Sequence, residues 1–242
     1  SIGFQRYCTT RRYLELFNSD IDQRYEGTFK EVWYANGGNI GVYTDMIQGD
    51  TAVFWSHKPL SAEFKARVAT KFEAKDINDL FNADGSYKDN RNFIEMHKHN
   101  STTDRTAIFE FRSKRDAFVI RIAEMYLIVA EADMQSNSTE ALSYLNQLRS
   151  VRAKPGHVAE MQVTAADLNI DFILDERARE LGGELLRWFD LKRTNKLLDY
   201  VRLYNTDAKN NIKDYHVLRP IPQSQLDVIS NPADFLQNPG WN

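Results

Sequence analysis

I-L-D-E-R-A-R-E-L-G-G-E-L-L-R-W-F-D-L-K-R-T, Ile173 to Thr194, is the stretch that decides the fold class. Ile173, Leu174, Ala178 and Leu181 recur at the spacing of one helix face, continuing from Leu168. Charges are threaded through the apolar positions. Glu176 and Glu180 lie one turn apart, and Glu184, Arg187 and Asp190 follow at i+3 steps, which brings opposite charges to one face as intrahelical ion pairs. Gly182-Gly183 either ends the first helix or lets another element approach closely, and a further helix is expected from Glu184 to about Tyr200 or Leu203. A second stretch has the same character: R-I-A-E-M-Y-L-I-V-A-E-A, Arg121 to Ala132. Phe118 to Asp133 is apolar almost all round, which predicts a buried helix whose Arg121, Glu124 and Glu131 share one stripe.

Working outward, Gln135 to Ser138 is a polar connection, and Asn137 or Ser138 caps the next helix, with Glu140 in its first turn. Ala141, Leu142, Leu145, Leu148 and Val151 recur at three and four; Arg149, Arg152 and Lys154 suit the helix C-terminus, and Pro155-Gly156 stops it. Two adjoining helices with a short connection form an antiparallel hairpin of tetratricopeptide length, and two such hairpins are expected after residue 117. Thr164 with Asp167 resembles a capping box. Leu218 to Gln223, L-R-P-I-P-Q, is extended because each proline disfavours helix before it, and the terminal Q-N-P-G-W is irregular.

Residues 1–117 read as a loop-rich, aromatic part, and residues 118–242 as a helical-hairpin part of the same structural unit. Arg11 to Phe17 is a short amphipathic helix, and Phe29 to Tyr34, Ile40 to Tyr43 and Thr51 to Trp55 are strand candidates around a turn at Asn36-Gly37-Gly38. Asn82 to Asn90 is a polar turn cluster.

The chain of 242 residues is long enough for one large domain or two small ones. Its formal net charge of −3, with bases scattered among acids, leaves no footprint for nucleic acid or for a membrane surface. The single cysteine, Cys8, forms no intrachain disulfide, and Gln5, Arg6 and Tyr7 before it do not make a lipid-attachment box. Ser1 to Thr10 lacks the basic start and apolar run of a signal peptide. The most apolar segment, Phe118 to Ala132, is broken by charges and shorter than the roughly 20 residues that span a bilayer. A soluble chain, starting without Met as a processed or truncated piece does, is the expectation.

Paired carboxylates are the machinery of glycoside hydrolysis. Those at 176–190 share one helical run, whereas catalytic carboxylates usually come from separate elements around a cleft, so ion pairs that fix helix register are the preferred reading. His97 and His99 put two imidazoles on one strand face, but no further ligand set accompanies them, and an exposed polar loop is expected instead of a metal site. Asn82-Ala83-Asp84-Gly85 is a turn, because Leu80 and Arg91 stand where a calcium loop needs acids. No nucleotide-binding loop, nucleophile elbow or C-x-x-C occurs, and no cofactor is implied. The remaining candidates are aromatic. Tyr25, Trp33, Tyr34, Tyr43 and Trp55 lie among glycines and polar residues. Such rings either serve as core or form a platform on which the C–H face of a pyranose stacks. Trp33, Tyr43 and Trp55 are the chosen ligand-binding candidates.

Several motifs stand in a telling order. Thr10 to Phe17 and Asp22 to Trp33 carry T-R-R-Y-L-E-L-F and D-x-R-Y-x-G-T-F-K-x-V-W. Arg115 to Ala132, Ala141 to Arg149, Glu176 to Arg193, Leu218 to Gln223 and Gln237 to Trp241 follow. Together they resemble the C-terminal half of the SusD/RagB family of outer-membrane nutrient-binding lipoproteins. Gly182-Gly183 departs from the apolar or aromatic residues common there. The resemblance implies a mainly α fold with tetratricopeptide-like helical hairpins, long irregular loops and a few short strands. It implies non-catalytic capture of an oligosaccharide or polysaccharide at the bacterial cell surface. Uptake would run through a SusC-like, TonB-dependent outer-membrane transporter, with membrane attachment only through a lipid anchor absent from this chain. Its motifs are scaffold, and its sugar-binding residues lie in variable loops. A helical-repeat protein-interaction scaffold is the alternative, and a glycoside hydrolase ranks behind it.

Overall fold

A computed structural model describes residues 8–37, 42–100, 116–136, 138–231 and 233–241. In chain order the described elements are α1 (Arg11–Glu15), α2 (Arg24–Thr28), β1 (Phe29–Lys30), β2 (Val32–Tyr34), β3 (Thr51–Ser56), α3 (Ala62–Val68), β4 (Glu73–Asp76), α4 (Ile77–Leu80), β5 (Glu95–Met96), α5 (Ile122–Asp133), α6 (Ser138–Arg152), α7 (Val158–Met161), α8 (Ile170–Leu181), α9 (Arg187–Arg193), α10 (Leu197–Tyr204), a 3-10 turn (Asp214–Val217) and α11 (Gln223–Leu226). The fold is mainly α with two small sheets, as the sequence led us to expect. Its contacts divide it into two compact units, Ser1–Arg187 and Trp188–Asn242.

In the first unit, Thr10 caps α1 by accepting from the Tyr13 amide at 3.2 Å. Leu14 and Phe17 then point inward and meet Tyr25, Phe29, Ile77, Leu80, Phe81 and Ile94 in one core. Phe17 and Phe29 pack edge to face with ring centres 5.3 Å apart. Phe29 to Tyr34 is split between two sheets. β1 pairs antiparallel with β5, whereas β2 pairs antiparallel with β3, which pairs parallel with β4. Residues 40 and 41 of the Ile40–Tyr43 strand candidate lie outside the described residues, as does Gly38. Asn82 to Asn90 is the expected turn, tied by Asn82 N to Ser86 O at 2.8 Å.

The helical layer is built from α5, α6 and α8. Ala123, Leu127 and Ala130 of α5 meet Leu145 and Leu148 of α6 and Ile173 and Leu181 of α8 in a second core. Three differences from the sequence reading have physical causes. The helix expected from Phe118 starts only at Ile122, because Arg121 is held in extended backbone while its guanidinium reaches Glu180 and Glu184. Phe118, Val119, Ile120 and Ile122 are 54%, 85%, 70% and 67% exposed, so this segment is not buried all round. Thr164 and Asp167 tie off a turn of their own, and the side chain of Asn169 caps α8 by accepting from Phe172 N at 2.9 Å. The long helix expected after Glu184 is two helices. Leu185 and Asn195 take left-handed backbone, φ 63° and 58°, which a continuous helix does not tolerate.

The second unit is closed by its prolines and its last residues. Gln237 clamps the extended L-R-P-I-P-Q segment, accepting from Ile221 N at 2.8 Å and donating to Ile221 O at 2.9 Å. Asn238 donates to Arg219 O and the Trp241 indole to Leu218 O. Gly240, φ +86°, lets the Tyr215 ring come within 2.3 Å of where a Cβ would stand, and that ring meets Trp241 edge on. The Arg219 guanidinium lies 4.9 Å from the centre of the Trp188 ring. The two terminal motifs are thus halves of one clasp.

Candidate functional site

The β2–β3 register decides which aromatics meet. Trp33 stands opposite Val53, so it shares a sheet face with Trp55 two residues further on. The two rings lie 5.0 Å apart at 59°, and both are half-buried. Lys75 pairs with Trp55 across the parallel ladder and joins the same face. Its ammonium is 5.8 Å from the Trp55 ring centre, and that of Lys30 is 5.6 Å from the Trp33 ring centre. Trp55 also rests against the first core, and its indole N–H is buried without an acceptor among the described residues. The opposite sheet face is covered: Phe54 meets Phe64 of α3 edge on.

The other named aromatics fall elsewhere. Tyr43 packs on a small core of Ala35, Met46 and Ala52, whereas Trp55 rests on the first core. Tyr25 is buried in the first core, and Tyr34 is 65% exposed. The structure therefore brings Trp33 and Trp55 together and leaves Tyr43 apart.

Beside the pair lies a relay that sequence reading missed, because its members are up to 38 residues apart. Glu31 Oε1 accepts from Tyr25 Oη at 2.8 Å and from the His57 backbone amide at 2.7 Å. The same oxygen is 2.6 Å from His57 Nδ1, and His57 Nε2 is 2.8 Å from Ser19 Oγ. Burial raises the Glu31 carboxyl, but the hydrogen bonds from His57 and Tyr25 outweigh it and hold the pKa below its usual value. An ionised Glu31 only accepts, so Nδ1 carries a proton toward it, and Nε2 shares a hydrogen bond with Ser19 Oγ. This serine–histidine–acid order has the look of a hydrolase relay. The amides beside Ser19 are already spent. Asp20 N is turned to Asn18 Oδ1, and Ile21 N and Asp22 N to Asn18 O, so they offer no oxyanion hole. The Glu31–His57 bonds tie the residue before β2 to the residue after β3, the two strands that carry Trp33 and Trp55.

The acids of α8 turn out to be a hub. Glu176, with no exposed surface, meets Arg24 at 2.9 Å, Arg149 at 2.6 Å and Arg179 at 2.7 Å. Glu180 meets Arg24, Arg121 and Arg152 at 3.2, 2.6 and 2.8 Å. Glu184 meets Lys98 and Arg121 at 2.7 and 2.9 Å. Asp22 holds Arg24 from behind through both carboxylate oxygens. Of these pairs only Arg179–Glu176 lies within one helix, and Arg193–Asp190 at 3.0 Å is a second i,i+3 pair in α9. Arg187 donates to Leu174 O at 2.6 Å, and Glu184 lies on the turn after α8. The reason is geometric: the polar stripe of α8 faces α2, α6 and the start of α5 rather than solvent. Burial alone would raise the Glu180 carboxyl, but hydrogen bonds from Arg152 and Arg121 and the charge of Arg24 hold it down at about 2. Burial works the same way on Glu176, and the charges of Arg179, Arg24 and Arg149 hold it far below the carboxylate range.

His97 and Lys98 are less exposed than the H-K-H reading implies. The Lys98 ammonium donates to Glu180 O and Gly182 O at the end of α8, and His97 Nε2 lies 3.1 Å from Glu26 O. Among the described residues no three His, Cys, Asp or Glu side chains group as metal ligands. Gly182 lets the Tyr13 hydroxyl come within 1.8 Å of a virtual Cβ, and Gly183 has φ +79°, so this glycine pair both ends the helix and admits a neighbour.

The sequence profile of the SusD family matches residues 8–241. The chain belongs to the SusD family. It is 35% identical over 127 residues to SusD-like protein P25 of Formosa agariphila, which covers 51% of this chain and 24% of that protein. It is 30% identical over 112 residues to a SusD-like protein of Bacteroides ovatus, covering 41% of this chain and 19% of that one. These alignments span no more than about a quarter of the relatives' own length. A SusD superfamily protein from Bacteroides vulgatus superposes on the whole chain and on 41% of its own, with TM-score 0.50 and 23% identity, a likeness of fold. The motifs that carried the resemblance fall in the hub and the clasp. D-x-R supplies Asp22 and Arg24, and E-R-A-R-E supplies Glu176, Arg179 and Glu180.

Proposed function

We propose that this chain captures an oligosaccharide or polysaccharide, without catalysis, on the sheet face that carries Trp33 and Trp55. The observation that carries the reading is the pairing of two half-buried indoles on strands tied together by Glu31 and His57. Such rings offer a large contact area at little entropic cost, and the nearby Lys30, Lys75 and Glu73 side chains can fix hydroxyls. Tyr43 is kept as an outlying contributor. Membership in the SusD family supports the wider setting: a lipid-anchored protein at the outer-membrane surface that passes glycan to a SusC-like, TonB-dependent transporter. No described helix is long and apolar enough to cross a membrane. Absence of catalysis is part of this reading and is supported by the hub, where the acids of α8 are held ionised by guanidinium groups.

The test is calorimetric titration of a glycan panel into wild type and into Trp33→Ala, Tyr43→Ala and Trp55→Ala. Loss of a central aromatic contact costs about 2 kcal/mol or more. Trp33→Ala and Trp55→Ala should lose that affinity with unchanged circular dichroism. Folded variants of both that bind as wild type would remove the site. A second reading, a protein-interaction scaffold, is favoured by the exposed Phe118–Ile120 segment beside α5. Glycan-independent capture of a protein partner that Phe118→Ser and Val119→Ser abolish would support it.

A further inference from the structure

We propose that the tryptophan face selects acidic glycans, whose sugars carry a carboxylate or a sulfate ester. The inference rests on the glycan-capture reading and narrows it to a substrate class. Both rings of the pair have an ammonium group over them, Lys30 at 5.6 Å from Trp33 and Lys75 at 5.8 Å from Trp55. A neutral pyranose gains the ring face under an ammonium only by displacing that cation. An acidic sugar keeps the cation where it is: the anion pairs with the ammonium while the C–H face lies on the indole. Lys75 already shows this arrangement, since it holds the Glu73 carboxylate at 2.5 Å. That pair is open to water, with 28% and 37% of the two side chains exposed, so it contributes little and exchanges readily. A ligand anion can take the place of the Glu73 carboxylate. The other acid on this face, Glu31, is committed to His57 and Tyr25 and does not compete. The face thus sets two ammonium groups beside the rings against two carboxylates, of which only that of Glu73 is open to replacement by a ligand anion.

Polygalacturonate, a sulfated galactan and a neutral β-glucan are the three probes, titrated into the 242-residue chain at about 20 mM and about 300 mM salt. The expected result is that one or both acidic polymers bind at least about tenfold more tightly than the neutral one at low salt, with the advantage shrinking at high salt. Which of the two binds identifies the anion. The double variant Lys30→Gln, Lys75→Gln should lose about tenfold on the acidic polymer and nothing on the neutral one, whereas Lys30→Arg, Lys75→Arg keeps the preference. Circular dichroism separates lost binding from lost folding, because lysine-to-arginine variants share any packing role of the stems. Preferred, salt-independent binding of the neutral polymer through Trp33 and Trp55 would overturn the selection and leave glycan capture standing. So would acidic binding that survives in the double glutamine variant. No binding of any probe by the folded chain would overturn both.

Discussion

Arg24→Ala removes the centre of the α8 hub, and its cost can be worked from the geometry. Glu176 keeps Arg149 and Arg179, and Glu180 keeps Arg121 and Arg152. Asp22 is the group left exposed to the loss. It is 2% exposed, and Arg24 donates to both of its oxygens at 2.7–3.1 Å. Breaking a buried pair by removing one partner costs about 3–5 kcal/mol, because the remaining charge has no water to return to. With a urea dependence of about 2 kcal/mol per molar, the unfolding midpoint should fall by about 2 M. Arg24→Lys should recover little, since one ammonium cannot span Asp22 and both glutamates as the planar fork does. The double variant Asp22→Asn, Arg24→Met should lie closer to wild type than Arg24→Ala, because it leaves no stranded charge at residue 22. The assay is urea denaturation at pH 7, followed by far-UV circular dichroism and tryptophan fluorescence. A midpoint for Arg24→Ala within about 0.5 M of wild type would refute the reasoning and show that the hub relaxes around the gap.

Acid should unfold the protein through the same hub. Glu180 sits at about 2 when folded against an ordinary 4.5, so its contribution is complete above about pH 5 and is lost as pH falls from 4.5 toward 2. Glu176 acts in the same direction. Urea midpoints should be level from pH 7 to 5 and drop steeply by pH 3; a level profile down to pH 3 would contradict the pairing. Gly182→Ala should destabilise by about 2 kcal/mol or more, because its Cβ would stand 1.8 Å from the Tyr13 hydroxyl. Tyr13→Phe alone should be near neutral, since that hydroxyl has no partner among the described residues, and added to Gly182→Ala it should restore part of the loss. Thermal melts of the three variants decide it. No new reducing ends should appear when the chain is incubated with a polysaccharide panel, and turnover abolished by Glu180→Gln would show that a hub carboxylate is an acid catalyst.

Local physics made much of this protein legible before any coordinates. The 3.6-residue repeat in Ile173–Leu181 and Ala141–Leu148 and the prolines of Leu218–Gln223 each act within a few residues, so sequence spacing is enough to read them. The order of the family motifs was legible for the same reason, as a series of local patterns. Pairing at a distance was not. Sequence spacing pointed to partners along the same helical run, and Arg179 does meet Glu176, yet guanidinium groups 27 to 156 residues away also converge on Glu176 and Glu180. A long flexible side chain selects the nearest buried acid in space, and sequence spacing carries no signal of that. Trp33, Tyr43 and Trp55 looked alike in sequence because each lies among small and polar residues. Only the strand register, Trp33 opposite Val53, put two of them side by side and left Tyr43 on a separate core. A shift of one residue would have turned one of those rings to the α3 side of the sheet, since side chains alternate with a period of two. Register is set by the whole sheet and its core, so the tertiary structure alone decided which aromatics form a face and which lysines stand over it.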